Sequence, residues 1–474
     1  MVSTPLSTDE VRAYIAKNSD RHLSNKVLHA HPSPAYWSSE FSESALAQCL
    51  AHTPGKQDRI NLYLGIPYCL PTDPPHCGFC LFPTERYAGK DTATDYLGLM
   101  AKESDLYRSV YEGAVIESLY VGGGTPNLLH PGDYQVLIDI ARRLFPSMDH
   151  AIEKTIEGIP QLFNEDKIHA IKDAGFNRVS MGVQQVDDAL IQLSGRKQTR
   201  RQVFDAIDAF QRHSLACNID LIYGWPEQTV ENMLADLRDI VASGISHITH
   251  YELNIAGRSD FATKQKAKVP PISEKLTMYR EAHAFLTSAG FVQETVYDWA
   301  KPNATRTDSG LCPAQYAYEA NMRDALLEDG ARYMGGLGYA AINLRPNTLR
   351  AGSFMNHRGL DRYADDVNAG RFPVERAFFH EDEDLRLCWV FQQLQTMRLD
   401  TTAFFNLFGR SVFMDYQTVI DELIDIGWAQ VTPKGVIELR GTGPFYVPLI
   451  QGLFSQARLK QLTGPRTSIP LHVQ

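Results

Sequence analysis

Six short runs with strand-like composition recur through the first half of the chain, at 61–66, 117–122, 154–158, 178–183, 218–223 and 248–253. Between them, the stretches 96–111, 133–145, 161–174, 201–213 and 230–243 carry apolar residues at helical spacing. Strands separated by helical crossovers are the pattern of a parallel sheet. The expected fold is therefore α/β, a partial (β/α)6 TIM-like barrel. In such a barrel the chemistry sits at the C-terminal ends of the strands.

Four regions follow from the same pass along the chain. Residues 1–58 are a polar lead-in, with Thr8-Asp9-Glu10 marking a helix start. Residues 59–270 are the barrel core, and 271–380 a linker and substrate-covering region. Residues 381–474 contain helices followed by hairpin-like text at 427–431 and 435–439, an α+β, winged-helix-like extension. The usual link between that shape and DNA is weak here. A formal net charge of −10 argues against a broad electrostatic grip on nucleic acid. No apolar run in the first 20 residues has the length of a signal peptide or a membrane span, so a cytoplasmic chain without membrane partners is expected.

Seven cysteines are an odd number for a disulfide framework, but three of them fall within twelve positions: Cys69, Cys77 and Cys80. They lie just past the first strand, where catalysis is expected. Three thiolates can bind three irons of a four-iron cube and leave the fourth open to a ligand. With His76, the same residues also make a possible zinc set, although no second Cys/His pair follows at zinc-site spacing. A trio without metal is the third alternative.

The cysteine loop, Gly122-Gly123-Gly124-Thr125-Pro126 and Asn218-Ile219-Asp220-Leu221-Ile222-Tyr223-Gly224 together resemble the radical S-adenosylmethionine (radical SAM) superfamily. More narrowly they resemble the HemN-like, oxygen-independent coproporphyrinogen III oxidase family. The resemblance implies a barrel of the radical SAM type and a [4Fe-4S] cluster on Cys69, Cys77 and Cys80. It implies S-adenosylmethionine held by Phe79 at its adenine and by Gly122, Gly123, Gly124 and Thr125 at its amino acid end. Glu157, Gln184, Arg196 and Asp220 match further cofactor contacts. Arg196 has the chemistry to pair with a carboxylate in bidentate fashion, and Asp220, buried by its neighbours, needs hydrogen-bond donors. Tyr63 matches an active-site tyrosine.

The chain also departs from the family. Seven residues, Leu70 to His76, separate the first two cysteines where three are usual. Gly65 stands where porphyrinogen oxidases carry a histidine, and Phe82 where they carry a further cysteine. Cys312 stands where heme-chaperone relatives carry the histidine of a His-Asn-x-x-Tyr-Trp signature, and it is a candidate donor of hydrogen or a proton. Tyr251 and Glu252 are candidate substrate contacts.

These departures point to the methyltransferase-like branch. There one S-adenosylmethionine is cleaved to a 5′-deoxyadenosyl radical, and a second supplies a methyl or methylene unit to an unsaturated ring of a tetrapyrrole or heteroaromatic natural product. Propionate decarboxylation of the coproporphyrinogen III oxidase type is the alternative reaction. Heme binding or trafficking is the alternative of another class. The expected partners are the small-molecule substrate and a low-potential electron donor such as flavodoxin or ferredoxin.

Overall fold

The computed structural model describes residues 4–21, 31–51, 58–73, 77–149, 152–255, 257, 259–302, 330–346 and 349–463. The six expected strands form: β1 (Arg59–Ile66), β2 (Val115–Gly123), β3 (Glu153–Gly158), β4 (Arg178–Gln184), β5 (Ala216–Tyr223) and β6 (His247–Glu252). They pair in parallel in chain order. Five helices make the crossovers: α1 (Lys90–Tyr107), α2 (Pro131–Leu144), α3 (Glu165–Ala174), α4 (Arg200–Arg212) and α5 (Val230–Ala242). Helix α6 (Ile272–Ser288) follows β6.

The sheet is larger than the six-strand expectation. Beyond β6, the short strands β7 (Val292–Gln293) and β8 (Asp298–Ala300) add to one edge in antiparallel fashion. On the other edge β9 (Arg332–Gly338) lies parallel to β1, in register from Arg59↔Arg332 to Gly65↔Gly338. Strands β10 (Ile342–Arg345), β11 (Gly352–Asn356) and β12 (Val374–Phe379) continue from it. The twelve strands run β12-β11-β10-β9-β1-β2-β3-β4-β5-β6-β8-β7. The 271–380 stretch thus contributes half the strands of the sheet that holds the barrel.

Strand β9 is hard to read locally because Gly335, Gly336 and Gly338 give it low strand propensity. Packing makes it a strand. A Cβ at Gly335 would lie 2.7 Å from the Tyr111 hydroxyl, and one at Gly338 would lie 2.7 Å from the Gly65 carbonyl. Buried Glu103 of α1 fixes the same seam. It accepts from the Gly338 N–H at 2.6 Å, from Tyr363 at 2.6 Å and from Asn356 at 2.6 Å.

The outer faces of the strands are apolar. Leu62, Leu64, Ile66, Leu119, Val121, Ile156, Val179 and Ile219 are buried against the helices. The inner face is polar. Ser118 donates to Asn61 at 2.7 Å, and Arg178 bonds Thr155, Asn218 and His247 at 3.2, 2.5 and 3.2 Å. Asn218 donates to Asp220 at 2.7 Å, and Thr249 to Asp298 at 2.9 Å. Such a network holds only if its members find partners. It props Asp220 from below.

The C-terminal part has its own core. Helices α7 (Asp382–Gln395), α8 (Thr401–Phe408), α9 (Val412–Asp425) and α10 (Val447–Thr463) surround a three-stranded antiparallel sheet of Arg398–Asp400, Val436–Leu439 and Ala429–Val431. The lead-in helix Thr8–Asn18 begins with a Ser7/Glu10 capping box and adds Leu6 and Val11 to this core. No helix among the described residues is long and apolar enough to cross a membrane.

Substituting Gly338→Ala tests the seam. Its φ of +93° is left-handed, and the added carbon meets the Gly65 carbonyl. A loss of about 2–4 kcal/mol is expected, read as a lower urea midpoint. An unchanged midpoint would contradict this account of β9.

Candidate metal and cofactor site

The cysteine loop leaves the C-terminal end of β1 and returns beside itself. Tyr68–Cys69 pairs in parallel with Glu85–Arg86, and the Glu85 N–H donates to the Pro67 carbonyl at 2.8 Å. Inside the loop, Cys77 and Gly78 both take left-handed backbone, with φ of 57° and 67°. The Gly78 carbonyl is held by the Phe261 N–H at 2.8 Å.

All three thiols are partly accessible, and each has a donor beside its sulfur. Thr125 Oγ1 lies 3.4 Å from Cys69 Sγ, Arg196 Nε 3.4 Å from Cys77 Sγ, and the Phe82 N–H 3.4 Å from Cys80 Sγ. Burial pushes the Cys69 thiol up to about 11. The Thr125 hydroxyl and Arg196 pull it down, while Cys77 and Cys80 push it further up. Three neighbouring thiols, the first of which resists ionising, suit a metal centre, because coordination releases the protons and removes the mutual repulsion. The residues therefore fit an iron–sulfur cluster. The other described cysteines, Cys49, Cys217 and Cys388, are buried apart from one another, and burial raises each thiol.

The Gly122–Thr125 run lies directly against this loop. The Gly124 N–H donates to the Ile66 carbonyl and the Thr125 N–H to the Tyr68 carbonyl, both at 2.7 Å. Gly123 has φ of +109°, and a Cβ on Gly124 would lie 3.1 Å from Cys69 Sγ. The close approach that these glycines permit is thus to the cysteine loop's own backbone and sulfur. The sequence points to the cofactor's amino acid end as the reason for the glycines. The contacts supply a second reason, nearer to hand.

Two carboxylates face the barrel interior below the loop. Glu157, at the end of β3, accepts from the Tyr120 hydroxyl at 2.5 Å and from the Gly123 N–H at 3.1 Å. Its pKa is raised by burial, against the pull of those two donors. Asp220 on β5 accepts from Ser180 at 3.1 Å and from Asn218 at 2.7 Å. Burial, and then the charge of Glu157, push it up to about 7. Two such groups sharing one space favour a cationic ligand between them.

Arg196 and Phe79 lie beside the cysteines, and the other expected residues are placed by their own neighbours. Gln184 stands at a register shift in β4 with φ of 67°, a strained backbone for a non-glycine residue. Arg196 donates to the Gly182 carbonyl at 2.6 Å and lies 5.9 Å from the Phe79 ring. Among the described residues its hydrogen-bond partners are a carbonyl, an amide and a thiol, and no side-chain carboxylate pairs with it. Phe79 packs against buried Trp225 at 5.1 Å and against Phe261 at 6.3 Å. Tyr63 stacks on Tyr120, with centroids 6.0 Å apart and planes 12° apart. Of the two candidate substrate contacts, Tyr251 packs on Tyr297 at 4.8 Å, and Glu252 pairs with Lys275 at 2.9 Å. Cys312 and His76 lie outside the described residues.

Three residues near the site carry no motif signal: Tyr120, Trp225 and Lys275. Tyr120 was legible only by parity, as the inward residue two positions before the glycine run. Lys275 is wholly buried on α6, and its stem passes under Gly224, where a Cβ would lie 2.7 Å from it. Nothing in the local sequence marks it.

Residues 74–240 match the family model described as Radical SAM superfamily. The oxygen-independent coproporphyrinogen III oxidase of Synechocystis sp. is 25% identical over 448 residues, 90% of this chain and 93% of that protein. The enzyme of the same name from Salmonella typhimurium is 26% identical, over 87% of this chain and 90% of that protein. The heme chaperone HemW of Escherichia coli is 28% identical over 244 residues, and the match spans 63% of its length and 51% of this chain. The solved structure of coproporphyrinogen III oxidase (HemN) from Escherichia coli superposes with a TM-score of 0.75 at 23% identity, covering 90% of this chain and 96% of that one. That match establishes the shared fold.

Two outcomes follow from the geometry. After anaerobic reconstitution the wild type is expected to hold about four iron and four sulfide per chain. Cys69→Ser, Cys77→Ser and Cys80→Ser should each lose them and Cys217→Ser should not; a zinc-loaded, iron-free wild type would refute the assignment. The second concerns pH. Asp220 keeps a proton in the folded chain up to about 7 that the unfolded chain releases near 3.8. Its contribution to stability is therefore full below about 4 and lost as pH rises to 7. In the cluster-free chain, Asp220→Asn should flatten the fall of the melting temperature over that window; an identical slope would contradict the assignment.

Proposed function

Since the chain carries a radical SAM domain and has HemN-like coproporphyrinogen III oxidases among its homologues, we propose that it is a HemN-like radical SAM enzyme acting on the unsaturated ring of a small molecule, a tetrapyrrole or a heteroaromatic. The reaction proposed is transfer of a one-carbon unit from a second S-adenosylmethionine. Position 65 carries this choice over oxidation. A Cβ on Gly65 would lie 2.9 Å from the Tyr339 carbonyl and 3.4 Å from the Tyr63 ring, so the chain has no space for the histidine that porphyrinogen oxidases are expected to place there. Phe82, where those enzymes are expected to carry a cysteine, instead lies 3.4 Å from a Cβ built on Gly123.

When bound, the cluster and S-adenosylmethionine supply hydrogen-atom abstraction, the hard part of the chemistry. The chain's residues do the rest. Cys69, Cys77 and Cys80 provide three ligands and leave one position for the cofactor. Glu157 and Asp220 provide acceptors for its cationic and hydroxyl groups. Phe79, backed by Trp225 and Phe261, provides an apolar wall. That wall excludes water, and the stacked Tyr63 and Tyr120 rings restrict the approach from the β1 side. An electron donor of the flavodoxin or ferredoxin kind is required.

A second reading, oxidative decarboxylation of a porphyrinogen propionate, is favoured by the length of the alignments to the two coproporphyrinogen III oxidases, 87–90% of this chain. Product analysis separates the two. In an anaerobic reaction with methyl-deuterated S-adenosylmethionine and candidate tetrapyrroles, transfer predicts deuterium in 5′-deoxyadenosine, S-adenosylhomocysteine, and a methylated product by mass spectrometry. Carbon dioxide from coproporphyrinogen III without methyl incorporation would overturn it. Stoichiometric heme binding without turnover would overturn both readings.

A further inference from the structure

The Tyr120 ring has a packing role, but its hydroxyl has none so far. Tyr120 sits on β2 with its ring 5% exposed, wedged between Tyr63 and the glycine run. A Cβ on Gly122 would lie 2.8 Å from its Cε1 atom, so the residue at 122 has to be glycine for the Tyr120 ring to stay where it is. The phenol donates to one oxygen of Glu157, Oε1, at 2.5 Å. The other oxygen, Oε2, accepts from the Gly123 N–H at 3.1 Å. The next residue, Gly124, donates to the Ile66 carbonyl, and Thr125 places its hydroxyl 3.4 Å from Cys69 Sγ. An unbroken series of contacts therefore runs from the Tyr120 hydroxyl through Glu157 and the glycine run to the first cysteine.

We propose that Tyr120 is a positioning residue: its hydroxyl fixes the rotation of the Glu157 carboxylate and so sets how Glu157 and the Gly123–Thr125 backbone meet the cluster-bound cofactor. The inference rests on the reading of Glu157 as a cofactor contact. Its physical basis is that a carboxylate with one donor turns about its last bond, whereas one held at both oxygens does not. The adjacent strand β2 supplies both donors, the Tyr120 hydroxyl from its interior and the Gly123 N–H from its last residue, where the chain turns toward Cys69. Movement of Glu157 would therefore disturb the Gly123 N–H as well as the ligand-facing surface. The stack on Tyr63 keeps the phenol in place without using its hydroxyl, so removal of that hydroxyl leaves the packing intact.

The test compares wild type, Tyr120→Phe, Glu157→Gln and the double variant, each reconstituted anaerobically. The readouts are S-adenosylmethionine affinity and the change that S-adenosylmethionine causes in the electron paramagnetic resonance signal of the reduced cluster. Tyr120→Phe should keep its iron and sulfide and melt only about a few degrees lower, as expected for one donor removed from a buried carboxylate. It should bind S-adenosylmethionine roughly tenfold more weakly, as expected for one lost hydrogen bond to a charged group, and give an altered cofactor-induced signal. The double variant should bind no more weakly than Glu157→Gln alone, because Tyr120 acts through that carboxylate. Wild-type affinity and signal in Tyr120→Phe, or strictly additive losses in the double variant, would overturn the inference while leaving the proposed function standing. A wild-type cluster signal indifferent to S-adenosylmethionine would overturn both.

Discussion

Two backbone hydrogen bonds, from Gly124 to the Ile66 carbonyl and from Thr125 to the Tyr68 carbonyl, hold the site together. They join the loop after β2 to the loop after β1, and the Cys69 sulfur lies beside the contact. No side chain larger than hydrogen fits at Gly123 or Gly124 while the two backbones stay this close. The position of the first cysteine is thus set by the meeting of two strand ends, a rigid arrangement, although the loop that carries the other two cysteines is long. That division explains why an extended gap between Cys69 and Cys77 is compatible with a metal site.

The second constraint is electrostatic. A parallel barrel is ordinarily filled with branched apolar residues, but this one carries Asn61, Ser118, Arg178, Asn218, His247, Thr249 and Asp298 in its interior. These groups cross-link one another and leave Glu157 and Asp220 facing the cysteine end. Buried acids without a full cationic partner resist ionisation. A ligand bringing positive charge to that end relieves the penalty and is favoured there over a neutral one.

The strand and helix alternation made the barrel legible, because β1 to β6 are strongly patterned and their crossovers are amphipathic. The cysteine loop and the residues at the strand ends were legible for the same reason: their places depend on local order along the chain. Strand β9 was not, since its glycines lower strand propensity and its pairing with β1 depends on contacts from Tyr96, Glu103 and Tyr111 on a distant helix and the turn after it. The joining of the lead-in helix to the C-terminal core was hidden likewise, as Val11 meets residues more than 370 positions away. Arg196 was legible as a site residue but not in its contact, because a Cys77 sulfur neighbour leaves no trace in sequence spacing. Gly65 was read as a missing histidine. Only the Tyr339 carbonyl, at the end of the illegible β9, shows that the histidine has no room.

The central claim is that Cys69, Cys77 and Cys80 hold a cluster with one iron open to the amino acid end of S-adenosylmethionine. Electron–nuclear double resonance on the reduced, reconstituted protein tests it directly, with S-adenosylmethionine labelled by 15N at the amine and 17O at the carboxylate. The account predicts hyperfine coupling of both labels to the cluster, abolished by Cys77→Ser. A reduced four-iron cluster that shows no coupling to either label at saturating S-adenosylmethionine would contradict it.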